Sequence, residues 1–372
     1  MERSLVVYRC PDGGDRCFMA EYDDADVKQS YSYDDVGNES CFVFAPFSLT
    51  EHNTSTPVIR FCNKKFKACT LLNLRKEASA YSCSNSEKDK GLNHNQFSIS
   101  ETIERHDRYK KDFSSFHAAA SSGKVKKIVL ARSMRINYTG SPDIIELYIK
   151  ACRNNPGAFV ALVSNTVCGT WLIATPEVLL EHEAGRFHTM SLAGTMKLNG
   201  EIQESLTHGC DVSEIWSKKN IEEQQIVSSY IKETLKKFSD DIIMVGPRSV
   251  VAGNVIHLRS DFNFTAGKSG VAISDILQAL HPTPAVCGMP VEESKRIISC
   301  EEHVDRKYYS GFCGPIDINL GTHLFVTLRC MQIHEQYFEL FAGGGILPES
   351  TEADEWNETL YKMQAMIKSI GL

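Results

Sequence analysis

One acidic side chain, Glu223, stands where a helix should turn its apolar face inward. With Val227 as origin and 100° per residue, Tyr230, Ile231, Leu235 and Phe238 fall within an arc of about 140°, and so does Glu223. A carboxylate on a core-facing stripe must be ion-paired, protonated or bound to a metal. Nearer the C-terminus, Glu358 and Lys362 are spaced i,i+4 with the acid first, opposite an apolar stripe of Trp356, Leu360, Met363, Ile367 and Ile370. Periodicity alone reads them as a solvated ion pair worth a few tenths of a kcal/mol. Lys127 opens the strand-like run KIVLARSMRI and shares a face with Val129, Ala131 and Ser133. It is either an edge lysine that discourages strand pairing or, unprotonated and partly buried, a general base.

The glycines of Ala342-Gly343-Gly344-Gly345-Ile346 follow a β-like run, YFELF. They do not complete the GxGxxG fingerprint, Leu347-Pro348 does not open a helix, and GxxxxGK[ST] is absent, so Rossmann and P-loop readings fall away. Two readings remain: a tight turn, or a backbone nest whose N–H groups approach a substrate carboxylate.

The elements that must position these residues follow no regular winding. Residues 41–44 and 58–61 read as short antiparallel strands, and the polar stretch 81–96 as a long loop. Beyond it, the spacing predicts helices over 101–121, 142–153 and 214–238, another from Val291, and a closing one over 351–370. Strands are expected at 128–136, 158–163, 170–173, 324–330 and 338–341. Helices and strands in irregular order favour α+β. Residues 1–95 are expected to be a variable portion of one fold, and 96–372 its catalytic region.

Composition narrows the function classes. Over 372 residues, 42% hydrophobic and 23% charged side chains are globular, and 40 basic against 47 acidic residues leave a net charge of -7. That field has the wrong sign for nucleic acid. The opening MERSLVVYRCPDGG lacks a signal-peptide core, and no apolar run approaches the roughly 18–20 residues of a membrane span, so a soluble, cytoplasmic protein is expected. The 13 cysteines are dispersed, with no CxxC, and read as reduced, mostly buried small hydrophobes.

Read together, the blocks KIVLAR (127–132), TPEVLL (175–180), SLAGTMK (191–197), SKKNIEEQQIV (217–227), HPTPAVCGMP (281–290), RKYYSGFCG (306–314), VTLRC (326–330), AGGGI (342–346) and EWNETLYK (355–362) resemble the chorismate-utilising enzymes. That family includes isochorismate, anthranilate, aminodeoxychorismate and salicylate synthases. The resemblance implies an α+β fold with large antiparallel sheets, flanking helices and two intertwined subdomains. It also implies chorismate as substrate and a Mg²⁺ ion on Glu223 and Glu358, an oxygen-rich environment that the ion prefers. The family's usual Lys-Asp-x-x-Glu-His reads Lys219-Asn220-Ile221-Glu222-Glu223-Gln224 here, so the groups around the ligand differ. Substrate carboxylate contacts carry over to Arg329, Lys362, Tyr309 and the backbone of Gly343 and Gly345. Gly194, Thr195 and His281 would line the ring side, with a satisfied core histidine as the lesser reading of His281.

Within the family, the resemblance points to the isochorismate branch. Ala193 stands where aminodeoxychorismate synthases carry a nucleophilic lysine, and Lys127 is present where anthranilate synthases usually lack one. Water needs a base where ammonia does not, and no glutaminase subunit is expected. The implied chemistry has Lys127 deprotonating a water aimed at C2 while a protonated Glu177 donates to the departing C4 hydroxyl. Salicylate synthase, which goes on to eliminate pyruvate, is the near alternative, and a non-catalytic metabolite-binding homologue the distant one. Menaquinone and siderophore pathways both use isochorismate.

Overall fold

A computed structural model describes residues 3–49, 56–78, 97–208, 211–252, 255–267 and 271–372. The expected loop at 81–96 lies outside the described residues, as does Cys83. Among the described residues, the strands form two antiparallel sheets of ten and nine strands. The first sheet runs from Gly288–Met289 through Lys127–Gly140, Tyr337–Ile346, Cys330–Ile333, Gly169–Thr175, Phe159–Asn165, Ser4–Arg9 and Arg16–Tyr22 to Lys67–Thr70, with Phe97–Glu104 also paired to Lys127–Gly140. The second runs from Ile242–Ala252 through Val255–Phe264, Arg186–Lys197, Val178–Glu183, Gly321–Val326, Phe312–Asp317, Cys41–Ala45 and Val58–Cys62 to Val27–Ser30. Residues before 95 thus supply strands to both sheets.

The layers follow from where the apolar side chains point. Strands buried on both faces carry near-continuous hydrophobic runs, as in the fully buried FVALVSN of Phe159–Asn165. Between the sheets lies an aromatic core containing Phe42, Phe44, Trp171, Phe325 and Phe341. Trp171 is wholly buried, its indole N–H donates to the Cys168 carbonyl at 2.8 Å, and its ring stacks on Phe341. On the outer face of the first sheet, the helices Ile144–Asn154 and Glu352–Ile370 close one apolar cluster. On the outer face of the second, Lys218–Leu235 and Ile273–Leu280 close another. The result is a helix–sheet–sheet–helix stack. None of its helices, among the described residues, is long and apolar enough to cross a membrane.

Four local expectations change. The helix expected over 101–121 begins only at His106, because Phe97–Glu104 pairs with the Lys127–Gly140 strand. The helix expected over 214–238 is broken: Val212–Ile215 ends at Trp216, and Ser217 caps a new helix by accepting from the Asn220 N–H. The strand expected over 324–330 is interrupted after Val326 and resumes at Cys330, leaving Arg329 at a φ of 47°. The glycine run forms no turn; it is the end of the Tyr337–Ile346 strand, in register with Ala131, Leu130 and Val129.

Candidate active site

Two of these irregularities, the break at Arg329 and the glycine strand end, meet at one cavity whose wall also includes Glu177, Gly194 and Thr195. Where the chain passes from the first sheet to the second, Pro176 and Glu177 link Gly169–Thr175 to Val178–Glu183. Where it returns, Leu328 and Arg329 link Gly321–Val326 to Cys330–Ile333. Both crossovers face the cavity, and each is tied to a flanking strand by its backbone, the Glu177 carbonyl accepting from Val326 and the Arg329 carbonyl from Ala174, both at 3.0 Å. A register shift between Ala193 and Thr195 admits Gly194, at φ +73°, and the space that a Cβ would need there is taken by Asn220. Gly194 and Thr195 both line the wall.

Opposite stands the glycine strand, whose lack of side chains is what makes the cavity. A Cβ on Gly345 would lie 2.6 Å from Lys127 Cε and collide with the Glu223 carboxylate. One on Gly344 would meet Glu355 Oε2 at 2.7 Å, and one on Gly343 the Tyr309 hydroxyl at 2.9 Å. The pairing of Cys330–Ile333 with this strand stops at Phe341, so beyond it that edge is open. There the Gly343 carbonyl accepts from Lys362 at 2.8 Å. Residues two apart face the same edge of a strand, so the Gly345 backbone is directed the same way.

The charges in the site are ordered by burial. Lys127 is 1% exposed and its ammonium lies 2.9 Å from Glu223 Oε1, so it is no solvent-facing edge lysine. Burial alone would raise the Glu223 carboxyl; Lys127, with Lys362 and Lys219, outweighs it and holds it below the usual carboxylate range. Lys127 lies behind Glu223 and is not itself in the cavity wall. Among the described residues Glu177 has no such partner: burial drives its carboxyl up to about 8 against the opposing pull of Lys127, Lys362 and Arg329. At neutral pH it is a protonated acid. Arg329, lowered to about 10 by burial, stays charged, and Lys362 pairs with Glu358 at 2.7 Å while reaching Gly343. Tyr309 stacks on Phe341, and burial raises its phenol.

The Glu358–Lys362 pair is half-buried, because the closing helix is rotated relative to the stripe read from its apolar residues. It buries Glu355, Thr359, Met363, Met366, Ser369 and Ile370. His281 stands apart from the cavity and corrects the expectation of a substrate contact. Its ring packs edge-on against Tyr33 and Phe312, and burial lowers it to about 3, making it a neutral core residue. Its sequence block reaches the cavity instead through Ala285 and Val286.

Two residues were not singled out by the sequence reading. His257 lines the cavity with Nε2 2.8 Å from Arg329 and Nδ1 3.0 Å from the Gly194 carbonyl. Arginine can only donate, so the proton must sit on Nδ1 and be given to Gly194. Burial, Arg329 and Lys362 all hold the ring neutral. Glu355, raised to about 7 by burial and by Glu358, accepts from Lys219 at 2.5 Å and from Ser350 at 2.7 Å. Its signal in sequence is its offset of three from Glu358, which puts both on neighbouring faces of one helix. At the positions that depart from the family pattern, Asn220 packs on Gly194, and Gln224 donates to the hydroxyls of Ser191 and Ser260.

Comparisons with known proteins agree with this arrangement. A family model described as chorismate binding enzyme matches residues 18–371. Isochorismate synthase EntC of Escherichia coli (strain K12) is 30% identical over 256 residues, covering 68% of this chain and 65% of that protein. The chain thus matches just under two thirds of the length of that relative. Isochorismate synthase DhbC of Bacillus subtilis (strain 168) is 28% identical over 274 residues, 71% of this chain and 68% of its own. Among solved structures, a putative 2,3-dihydroxybenzoate-specific isochorismate synthase from Bacillus anthracis superposes with a TM-score of 0.79 at 23% identity, covering 100% of this chain and 96% of that one. Anthranilate synthase component I from Streptococcus pneumoniae TIGR4 has the same fold, with a TM-score of 0.69 at 16% identity over 98% of this chain and 92% of that one. With its two antiparallel sheets, flanking helices and cavity at their junction, the chain belongs to the chorismate binding enzyme family.

Proposed function

We propose that the protein is an isochorismate synthase, an isomerase that adds water at C2 of chorismate and expels the C4 hydroxyl. The observation that carries this reading is a buried carboxylic acid, Glu177, held protonated in a largely apolar cavity that also presents Arg329, Lys362 and the ionised Glu223. A dianionic substrate suits Arg329, which has no carboxylate partner among the described residues, and Lys362, which shares its charge with Glu358, and the Gly343–Gly345 edge offers backbone N–H groups beside them. The roles proposed are general acid for Glu177, in the cavity wall, and general base for Lys127, which stands behind Glu223 and whose role follows from the family resemblance. Neutral His257 fixes the Arg329 guanidinium from behind without competing for the anion.

The residues present fit a Mg²⁺ ion. Glu223 is ionised and buried, and Glu358 stands near enough to Glu355 to oppose its ionisation, so carboxylate oxygens of the hard type gather here. Burial works against the Lys219 ammonium, yet Glu355, Glu358 and Glu223 together raise it, so a cation is already favoured among them. Among the described residues no group of three or more His, Cys, Asp or Glu forms a complete cage, so water and substrate oxygens would finish the shell. Glu223 and Glu358 would hold the ion, which supplies charge neutralisation at the substrate carboxylate.

Incubating the pure protein with chorismate and Mg²⁺, then separating products by chromatography, tests this reading. Isochorismate alone is expected; salicylate with pyruvate would make it a salicylate synthase, and unchanged chorismate would leave only a binding role.

A further inference from the structure

The cysteines take no part in the chemistry above, but two of them are paired across a sheet edge. Cys17 and Cys69 stand directly opposite each other on the antiparallel strands Arg16–Tyr22 and Lys67–Thr70, with their Sγ atoms 3.3 Å apart. A disulfide needs about 2.05 Å between sulfurs and Cβ atoms about 3.5–4.5 Å apart, a geometry that directly opposed strand residues, with Cβ atoms about 4.5–5.5 Å apart, reach by side-chain rotation and a small approach of the two strands. Cys17 is wholly buried, whereas Cys69 is half-buried and meets solvent. Cys41 and Cys62 are also directly opposed, but both are buried, so a reagent lacks the access it has at Cys69.

We propose that Cys17 and Cys69 form a redox modification site, a dithiol that closes reversibly to a disulfide at the edge of the ten-stranded sheet. The co-reactant is a low-molecular-weight disulfide. Cys69, as thiolate, attacks one sulfur of the reagent and releases its partner as a thiol, giving a mixed disulfide on Cys69. Cys17 loses its proton and attacks the Cys69 sulfur, displacing the second reagent thiol. Two protein thiols are oxidised to one disulfide, and the reagent takes up the two electrons and two protons as two thiols. Cys69 is the first nucleophile because burial pushes the Cys17 thiol up and the contact with Cys69 adds to that.

The bond fastens a weakly held edge. Lys67–Thr70 is a four-residue strand paired only with Arg16–Tyr22 among the described residues, and it leads directly into the helix Leu71–Glu77. Cys17 packs in the same apolar cluster as Leu71 and Leu74 of that helix and as Met363 and Met366 of the closing helix. A covalent tie there removes freedom from the unfolded chain and holds the strand in register.

The test uses the full-length protein, reduced, then equilibrated in glutathione buffers graded from reduced to oxidised. Free thiols are blocked with iodoacetamide and non-reduced digests are read by mass spectrometry. Expected is a Cys17–Cys69 linked peptide that disappears on reduction, together with a melting midpoint several degrees higher in the oxidised protein. Both should be absent in Cys69→Ser, a half-buried change that keeps the fold, and in Cys17→Ala. Recovery of both cysteines alkylated or merely glutathione-capped at the most oxidising ratio would overturn the proposal. So would a bridge to any other cysteine, or a midpoint rise that persists in Cys69→Ser.

Discussion

Lys127 and Glu223 meet over Gly345, on the one stretch of strand where neither would strike a side chain. Their 2.9 Å contact joins a strand of the first sheet to a helix that covers the second, and the hydrogen in place of a Cβ at Gly345 is its precondition.

Gly345→Ala should therefore separate this pair with little damage elsewhere. We expect kcat to fall about 10²-fold or more, the cost of displacing a positioned proton-transfer group, with the protein folded. Steady-state kinetics with a melting curve checks it; wild-type turnover would mean that the Lys127–Glu223 contact is dispensable.

Lys127→Met should stop water addition while leaving chorismate binding within a few-fold of wild type, because carboxylate contacts are assigned to Arg329, Lys362 and the glycine edge. Ammonia supplied at high pH needs no base, and some aminated product is expected from the same variant. Retention of more than about a tenth of wild-type isochorismate formation would remove the lysine from the mechanism, since loss of a general base costs about 10²–10⁴-fold.

Glu177 sets a pH limit. Its folded value of about 8 lies above the ordinary 4.5, so the proton donor is present below pH 8 and kcat should decline as pH rises through it. The same sign governs stability: the contribution is full below the unfolded value and is lost progressively up to the folded one. Glu177→Gln should be inactive at every pH yet melt higher than wild type at pH 9. A wild-type melting curve that does not weaken relative to Glu177→Gln between pH 5 and 9 would contradict the burial of an isolated carboxyl.

Arg329→Lys keeps the charge but loses the planar fork that His257 steadies at 2.8 Å. KM for chorismate should rise about 10-fold or more, with a smaller change in kcat. An unchanged KM would show that Lys362 and the glycine edge bind the substrate alone.

Chelation by EDTA should abolish turnover and Mg²⁺ restore it, and Glu223→Gln should be folded, inactive and insensitive to added Mg²⁺. Full activity after exhaustive chelation would exclude the ion assigned to Glu223 and Glu358.

Much of the site was legible in the sequence because chemistry and local periodicity are written in short spacings. The core-facing position of Glu223 followed from a 3.6-residue repeat, and the buried face of Lys218–Leu235 does carry it beside Val227, Ile231 and Leu235. The sequence blocks likewise pointed to Glu177, Arg329 and Lys362 and to an α+β fold of antiparallel sheets. Other features depend on neighbours distant in the chain. Whether three glycines make a turn or a strand end depended on Ala131, Leu130 and Val129 being there to pair with them. Apolar residues alone misjudged the rotation of the closing helix, because its inward face buries Glu355 and Thr359, and polar residues can be buried only where partners such as Lys219, Ser350 and Arg132 come to meet them. His281 and His257 show the division most plainly. Both are buried and neutral, but one is enclosed by aromatic rings and the other lies between Arg329 and Gly194, a distinction set by tertiary packing because hydrogen-bond partners are chosen by position in space.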